Sequence, residues 1–182
     1  MQADSESAAA VSAHDWPLAV HQALRDAGIT VVAYVPDGAH RRLIELCAAD
    51  GEMRMVPLTT EAEGPCVLAG AWLGGGRGVL LMQSSGLGNC INNFGLLKAG
   101  QFPFLTLVTV RGSWGEANPW MLYMGRNTRP LLELADFHAY EVDRPEDAAP
   151  TVAAAAQMVF ACGSGAGVLL TQRLTGAKRF KA

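Results

Sequence analysis

Two runs of the chain, Gly78-Val-Leu-Leu-Met82 and Phe104-Leu-Thr-Leu-Val-Thr-Val110, are apolar on almost every residue. A strand with one wet face alternates apolar and polar residues, whereas a strand covered on both faces does not. Each run therefore reads as an inner strand of a parallel sheet with helices on both sides. The rest of the chain supplies the partners. Weaker β-branched runs at 30–35, 53–58, 138–142 and 167–171 alternate with helical stretches at 16–27, 39–49, 60–73, 89–99, 130–135 and 146–161. Asp15 is placed to cap the first helix, Pro36-Asp37-Gly38 ends the first strand, and Gly74-Gly75-Gly76 stops the third helix. About six strands alternate with helices through short connections and without a break in composition. The expectation is one α/β domain, a three-layer open and mainly parallel sheet with helices on both faces.

In 182 residues, half are hydrophobic and 17% charged, with a mean hydropathy of +0.17. That is apolar for a lone soluble chain, so part of its surface is expected to meet another chain. A net charge of −3 gives no basic footprint for nucleic acid or anionic lipid. Cys47, Cys66, Cys90 and Cys162 lack zinc spacing and the density of a secreted disulfide framework, and the histidines share no metal spacing. They read as small apolar residues in a reducing, cytoplasmic setting. Residues 1–14 lack a basic start and an apolar run, so they read as a flexible tail, not a signal peptide. Residues 176–182 read as a basic tail, leaving 15–175 as the domain. No uninterrupted run of about 20 apolar residues marks a membrane span.

In open α/β sheets, ligands sit beyond the carboxyl ends of the strands. Three segments meet that condition: 36–40, 84–89 and 111–127. Ser84-Ser85-Gly86-Leu87-Gly88-Asn89 joins a strand to a helix, and its glycines suit either a tight turn or close approach to a phosphate. The phosphate-loop and dinucleotide fingerprints are both absent. Glu61 and Glu63 open a helix whose next turns are small: Gly64, Cys66, Ala69, Gly70 and Ala71. They are either first-turn acids favoured by the helix dipole or a pair in which one bonds a ligand nitrogen. His21 reads as a solvated residue, and His40, next to Asp37-Gly38, as a residue facing the site. No nucleophile elbow supports a hydrolase.

Met82-Gln-Ser-Ser-Gly-Leu-Gly-Asn89, some 20 residues beyond Thr60-Glu61-Ala-Glu63-Gly64, resembles the α subunits of sulfopyruvate decarboxylases. It is similar also to the amino-terminal domain of phosphonopyruvate decarboxylases. Val35-Pro-Asp-Gly38 resembles their first loop, and Val110-Arg-Gly112, Asn118-Pro119 and Met124-Gly125 their later one. The likeness covers about 15–173. It implies the pyrimidine-binding (Pyr) domain of a thiamine-diphosphate enzyme acting on a 2-oxoacid. There a glutamate hydrogen-bonds the pyrimidine N1′ and favours its imino tautomer. Glu61 falls on that position when counted back from Gly76 and Gly86, with Glu63 the alternative. Ser85, Gly86, Leu87, Gly88 and Asn89 would lie at the cofactor, and Asp37, Gly38, His40 and Arg111 at the substrate.

The resemblance also implies a partner. Such enzymes hold diphosphate and Mg2+ through a Gly-Asp-Gly segment and a later asparagine, and no Gly-Asp dipeptide occurs in this chain. No metal ligand is therefore assigned here, and a separate β subunit is expected to carry that domain. Met121 stands where the family has glutamine, which makes the pocket more apolar and speaks against a sulfonate or phosphonate on the substrate. Another thiamine lyase or carboligase, and a non-catalytic small-anion-binding module, are the alternatives.

Overall fold

The computed structural model describes residues 15–177. In chain order its elements are α1 (Trp16–Asp26), β1 (Ile29–Tyr34), α2 (Arg41–Ala49), β2 (Arg54–Pro57), α3 (Glu63–Leu73), β3 (Arg77–Gln83) and α4 (Ser84–Gly100). There follow β4 (Phe104–Thr109), α5 (Trp120–Leu134), β5 (His138–Val142), α6 (Pro145–Cys162), β6 (Gly165–Leu170) and α7 (Gln172–Thr175). The six strands form one sheet in the order β2-β1-β3-β4-β6-β5, and every pairing is parallel.

The unbroken apolar runs have the cause expected of them. Val79, Leu81, Leu105 and Leu107 point into one core with α1, α2 and α6, while Leu80, Met82, Phe104 and Val108 point into the other with α3, α4 and α5. Successive residues of a strand face opposite ways, so a strand between two helical layers must be apolar throughout. Phe94, Phe104 and Phe137 meet at centroid distances of 5.1–5.7 Å in the second core.

Several local expectations are corrected. The Asp15 side chain makes no cap bond and instead forks to the Arg42 guanidinium, with 2.8 Å from Nε to Oδ1. His21 is not solvated: its side chain is 13% exposed and its Nε2 lies 2.9 Å from Asp50 Oδ2. Segment 84–89 is no turn, because α4 begins at Ser84 directly from β3. Helix α5 starts ten residues before Pro130, which lies inside it. The helix continues through a residue that lacks an N–H, and the preceding loop packs on the backbone of its first turns. A Cβ on Gly125 would meet the Arg111 carbonyl at 2.3 Å, and one on Gly112 (φ +88°) the Met121 carbonyl at 2.2 Å. Both tails expected from the sequence lie outside the described residues, apart from Gly176 and Ala177. No described helix is long and apolar enough to cross a membrane.

Candidate active site

The chain leaves β1 toward β2 on one side and returns through β3 on the other, so the sheet changes direction between β1 and β3. Crevices open at the carboxyl ends of strands that flank such a point. Glu61 lies four residues beyond β2, Asp37 three beyond β1, Ser84 next to β3, Arg111 two beyond β4 and Gln172 two beyond β6. Because all six strands are parallel, these residues share one edge.

Glu61 stands in the turn before α3 and reaches across to α4. Asn89 Nδ2 donates to its Oε2 at 2.9 Å. The carboxyl lies over Gly86: a Cβ there would be 2.4 Å from Cδ, Cγ and Oε1 of Glu61. The glycine thus leaves the space that the carboxyl fills. The turn is tied to α4 by the Cys90 thiol to the Glu61 carbonyl (3.1 Å) and by Asn93 Nδ2 to the Ala62 carbonyl (2.6 Å). Burial, then the Glu61 charge, push the Cys90 thiol up to about 12, so it is a neutral donor. Glu63 behaves differently. It is exposed, and its Oε2 accepts the Thr59 N–H at 3.1 Å, closing the turn that leads into its own helix. The two acids that sequence left as alternatives are therefore separated by geometry: one closes a turn, the other reaches the next helix.

Asp37 caps the ends of three strands. Thr109 Oγ1 donates to its Oδ2 at 2.8 Å, Gln83 Nε2 to Oδ1 at 3.3 Å and the Ala39 N–H to Oδ2 at 3.3 Å. Burial pushes its pKa upward, but the Thr109 hydroxyl, His40, Gln83 and the Ala39 N–H outweigh it and hold the carboxyl below its ordinary range. Ser85 Oγ donates to Gln83 Oε1 at 3.0 Å, joining α4 to this network.

Other expected site residues are placed elsewhere. His40 is wholly buried, with Nε2 3.2 Å from the Leu107 carbonyl, and burial lowers its pKa. It belongs to the interior and not to the site surface. Leu87 is also wholly buried in the second core. Gly88 sits in the helix with no positive φ, and a Cβ there would make ordinary 3.5 Å contact with Met124 Sδ. A branched residue could follow that backbone, so of these two glycines it is Gly86 whose small size the packing requires.

Arg111 is clamped. Its Nη2 and Nε donate to the two oxygens of Glu116 at 2.7 and 2.9 Å, and the Glu116 side chain is 1% exposed. Gln172 is the hub of this loop. Its Oε1 accepts the N–H groups of Gly112, Ser113 and Trp114 at 3.0–3.2 Å, and its Nε2 donates to Glu116 Oε2 at 3.0 Å. Arg111, with smaller help from the Asn118 N–H and Gln172, lowers Glu116 from an ordinary 4.5 to about 2. A depressed carboxyl stabilises above its ordinary value and loses that contribution as pH falls through the depressed one. The loop is thus expected to stay clamped above about pH 4.5 and to loosen toward pH 2. Amide exchange at Gly112–Trp114 should accelerate over that window in the native chain. In Arg111→Ala the Glu116 titration should move back toward 4.5, and an unchanged midpoint would refute the clamp.

Sequence reasoning missed Gln83, Cys90, Asn93, Thr109, Glu116 and Gln172. Asn89 and Asn93 stand one helical turn apart within the helix read at 89–99, and that spacing was the available signal for a shared face. Gln172 gave no signal, since a polar residue after a strand is ordinary. Among the described residues, no group of three His, Cys, Asp or Glu could hold a metal.

The fold is an all-parallel α/β sheet covered on both faces, with a candidate site at its carboxyl edge where a glutamate lies over a glycine of a neighbouring helix. A solved structure of 2-oxoglutarate:ferredoxin oxidoreductase from Magnetococcus marinus superposes with a TM-score of 0.69, at 14% identity, over 88% of this chain and 29% of that one. No protein-family profile matches. The α subunit of sulfopyruvate decarboxylase from Methanococcus maripaludis is 36% identical over 131 residues, covering 71% of this chain and 78% of that subunit. Phosphonopyruvate decarboxylase from Streptomyces viridochromogenes is 42% identical over 111 residues, 60% of this chain and 28% of that protein. The chain belongs to the sulfopyruvate decarboxylase α-subunit family.

Proposed function

We propose that this chain is the α subunit of a thiamine-diphosphate-dependent 2-oxoacid decarboxylase, completed by a β subunit that carries the diphosphate and Mg2+ site. The observation that carries the reading is the Glu61 carboxyl, oriented by Asn89 over the space that Gly86 leaves. The residues fit the aminopyrimidine: a half-buried carboxylate held by one amide keeps acceptor capacity for a ring nitrogen. Glu61 would hold a proton at that nitrogen, Asn89 would fix the carboxyl rotamer, and Gly86 would permit the close approach. Thiamine diphosphate, when bound, supplies the electron sink for loss of carbon dioxide. The Asp37 network would order the substrate edge and keep a charged carboxylate there. Beside this edge Trp120 and Tyr123 are 78% and 73% exposed, an apolar rim that supports a partner subunit. Four free cysteines suit a cytoplasmic, reducing setting.

The test is reconstitution. Coexpressed with a β subunit that contains Gly-Asp-Gly, the complex should release carbon dioxide from a 2-oxoacid when thiamine diphosphate and Mg2+ are present. The chain alone should show no tight cofactor binding by calorimetry. Submicromolar affinity without a partner, or a cofactor-loaded complex inert toward 3-sulfopyruvate, 3-phosphonopyruvate and pyruvate, would sink the reading.

A further inference from the structure

Beside the Asp37 network lies a cavity of about 300 Å³. Asp37, Gly38, Arg41, Thr109 and Arg111 line it, and the C-terminal turn at Thr175 and Gly176 closes one side. Two cations therefore face the same space, and they are not equivalent. Arg111 has both forks of its guanidinium on the buried Glu116, so its charge is already matched. Arg42, the neighbour of Arg41, is likewise committed to Asp15. Among the described residues, Arg41 enters no ion pair. It is also the first residue of α2, where the helix dipole adds to its charge.

We propose that Arg41, rather than Arg111, is the residue of this cavity that binds an anionic group of its ligand. The inference rests on the decarboxylase reading for the name of the ligand, but not for the site. Asp37 supplies the orientation. Its oxygens are occupied by Thr109, Gln83 and Ala39, and its negative charge turns an acid group away from that wall and toward Arg41. A cavity of this size has room for a small diacid. Met121, which made the pocket look apolar in sequence, does not line the cavity. Its place in the family's pattern therefore does not bear on this anion.

The test reads binding without turnover. 3-Sulfopropanoate, an unreactive carboxylate with a sulfonate, is titrated into the full chain, with amide shifts followed at Gly38, Ala39 and Thr109. Propanoate serves as the single-acid control. Saturable shifts are expected with 3-sulfopropanoate and none with propanoate at equal concentration. Arg41→Gln should weaken binding about tenfold to a hundredfold, the usual loss of one charge-assisted hydrogen bond. Arg41→Lys should recover part of it, and Arg42→Gln should match the native chain. The proposal is overturned if the native chain gives no saturable response, if Arg41→Gln binds as tightly as native, or if Arg111→Gln loses more than Arg41→Gln. A complex inert toward 2-oxoacids would remove the decarboxylase reading and leave these shifts untouched.

Discussion

Glu61→Gln, assembled with its partner subunit, is expected to fold, associate and bind thiamine diphosphate while exchanging the cofactor's C2 proton at least about 100-fold more slowly, the loss typical of a positioned acid–base group. Glutamine keeps the size and can still accept the Asn89 amide through its oxygen. It has no exchangeable carboxyl proton to share with a ring nitrogen, so shape survives and proton control does not. Glu63→Gln is the matched control. Its carboxyl accepts the Thr59 N–H in the turn before α3. Removing that charge should cost on the order of 1 kcal/mol of stability and little exchange. The measurement is hydrogen–deuterium exchange at C2 of the bound cofactor, followed by NMR after acid quench. Slow exchange in Glu63→Gln alone would move the role by two residues. Normal exchange in both would remove catalysis of this kind from the chain.

The architecture was legible because it follows from two periodicities. Unbroken apolar runs at β3 and β4 can be satisfied only between two helical layers, and once those strands are inner the remaining elements must fill both faces. Boundaries were less legible where a residue has two uses. Pro130 suits a first turn, so it drew the start of α5 ten residues too late; the loop that packs on the Gly125 backbone is invisible in one dimension. The glycines of segment 84–89 suggested a turn for the same reason. Their cause is not a positive φ but a neighbour: Gly86 is small because Glu61 lies on it.

The candidate site was legible as a set of loops and not as a set of contacts. Glu61, Asn89, Asp37 and Arg111 all lie at the carboxyl edge of the sheet, since strand ends fix that. Which of them is free to meet a ligand depends on long-range partners. Glu116 is five residues from Arg111 and was passed over, yet it converts the most conspicuous cation of the edge into an internal strut. His40 lies three residues beyond Asp37, but its ring turns into the interior, with Nε2 on the Leu107 carbonyl. Arg41, one residue on, drew no notice and lines the cavity.

Gly86→Ala is expected to separate stability from activity. Gly86 is the third residue of α4, and alanine is favoured over glycine in a helix by up to about 0.5–1 kcal/mol, so the melting temperature should hold or rise slightly. The added Cβ would lie 2.4 Å from the Glu61 carboxyl, a distance that a Cβ does not tolerate in a non-bonded contact. What yields is the mobile end of Glu61, because α4 is anchored in the core by Leu87, Cys90, Phe94 and Leu97. The carboxyl then leaves Gly86 and its bond to Asn89. A displacement of about 1 Å in a positioned group can cost roughly 100-fold in rate, so C2 exchange and turnover should fall about as far as in Glu61→Gln. The double variant Gly86→Ala, Glu61→Gln should lose little more than either change alone, since both remove one interaction. Gly88→Ala, whose Cβ meets only Met124 Sδ at 3.5 Å, should gain the same helix stability and keep its exchange rate. Thermal melts beside C2 exchange on the four proteins decide the matter. Native exchange in Gly86→Ala would show that the carboxyl works without this contact, and losses that multiply in the double variant would show that the glycine acts through some group other than Glu61.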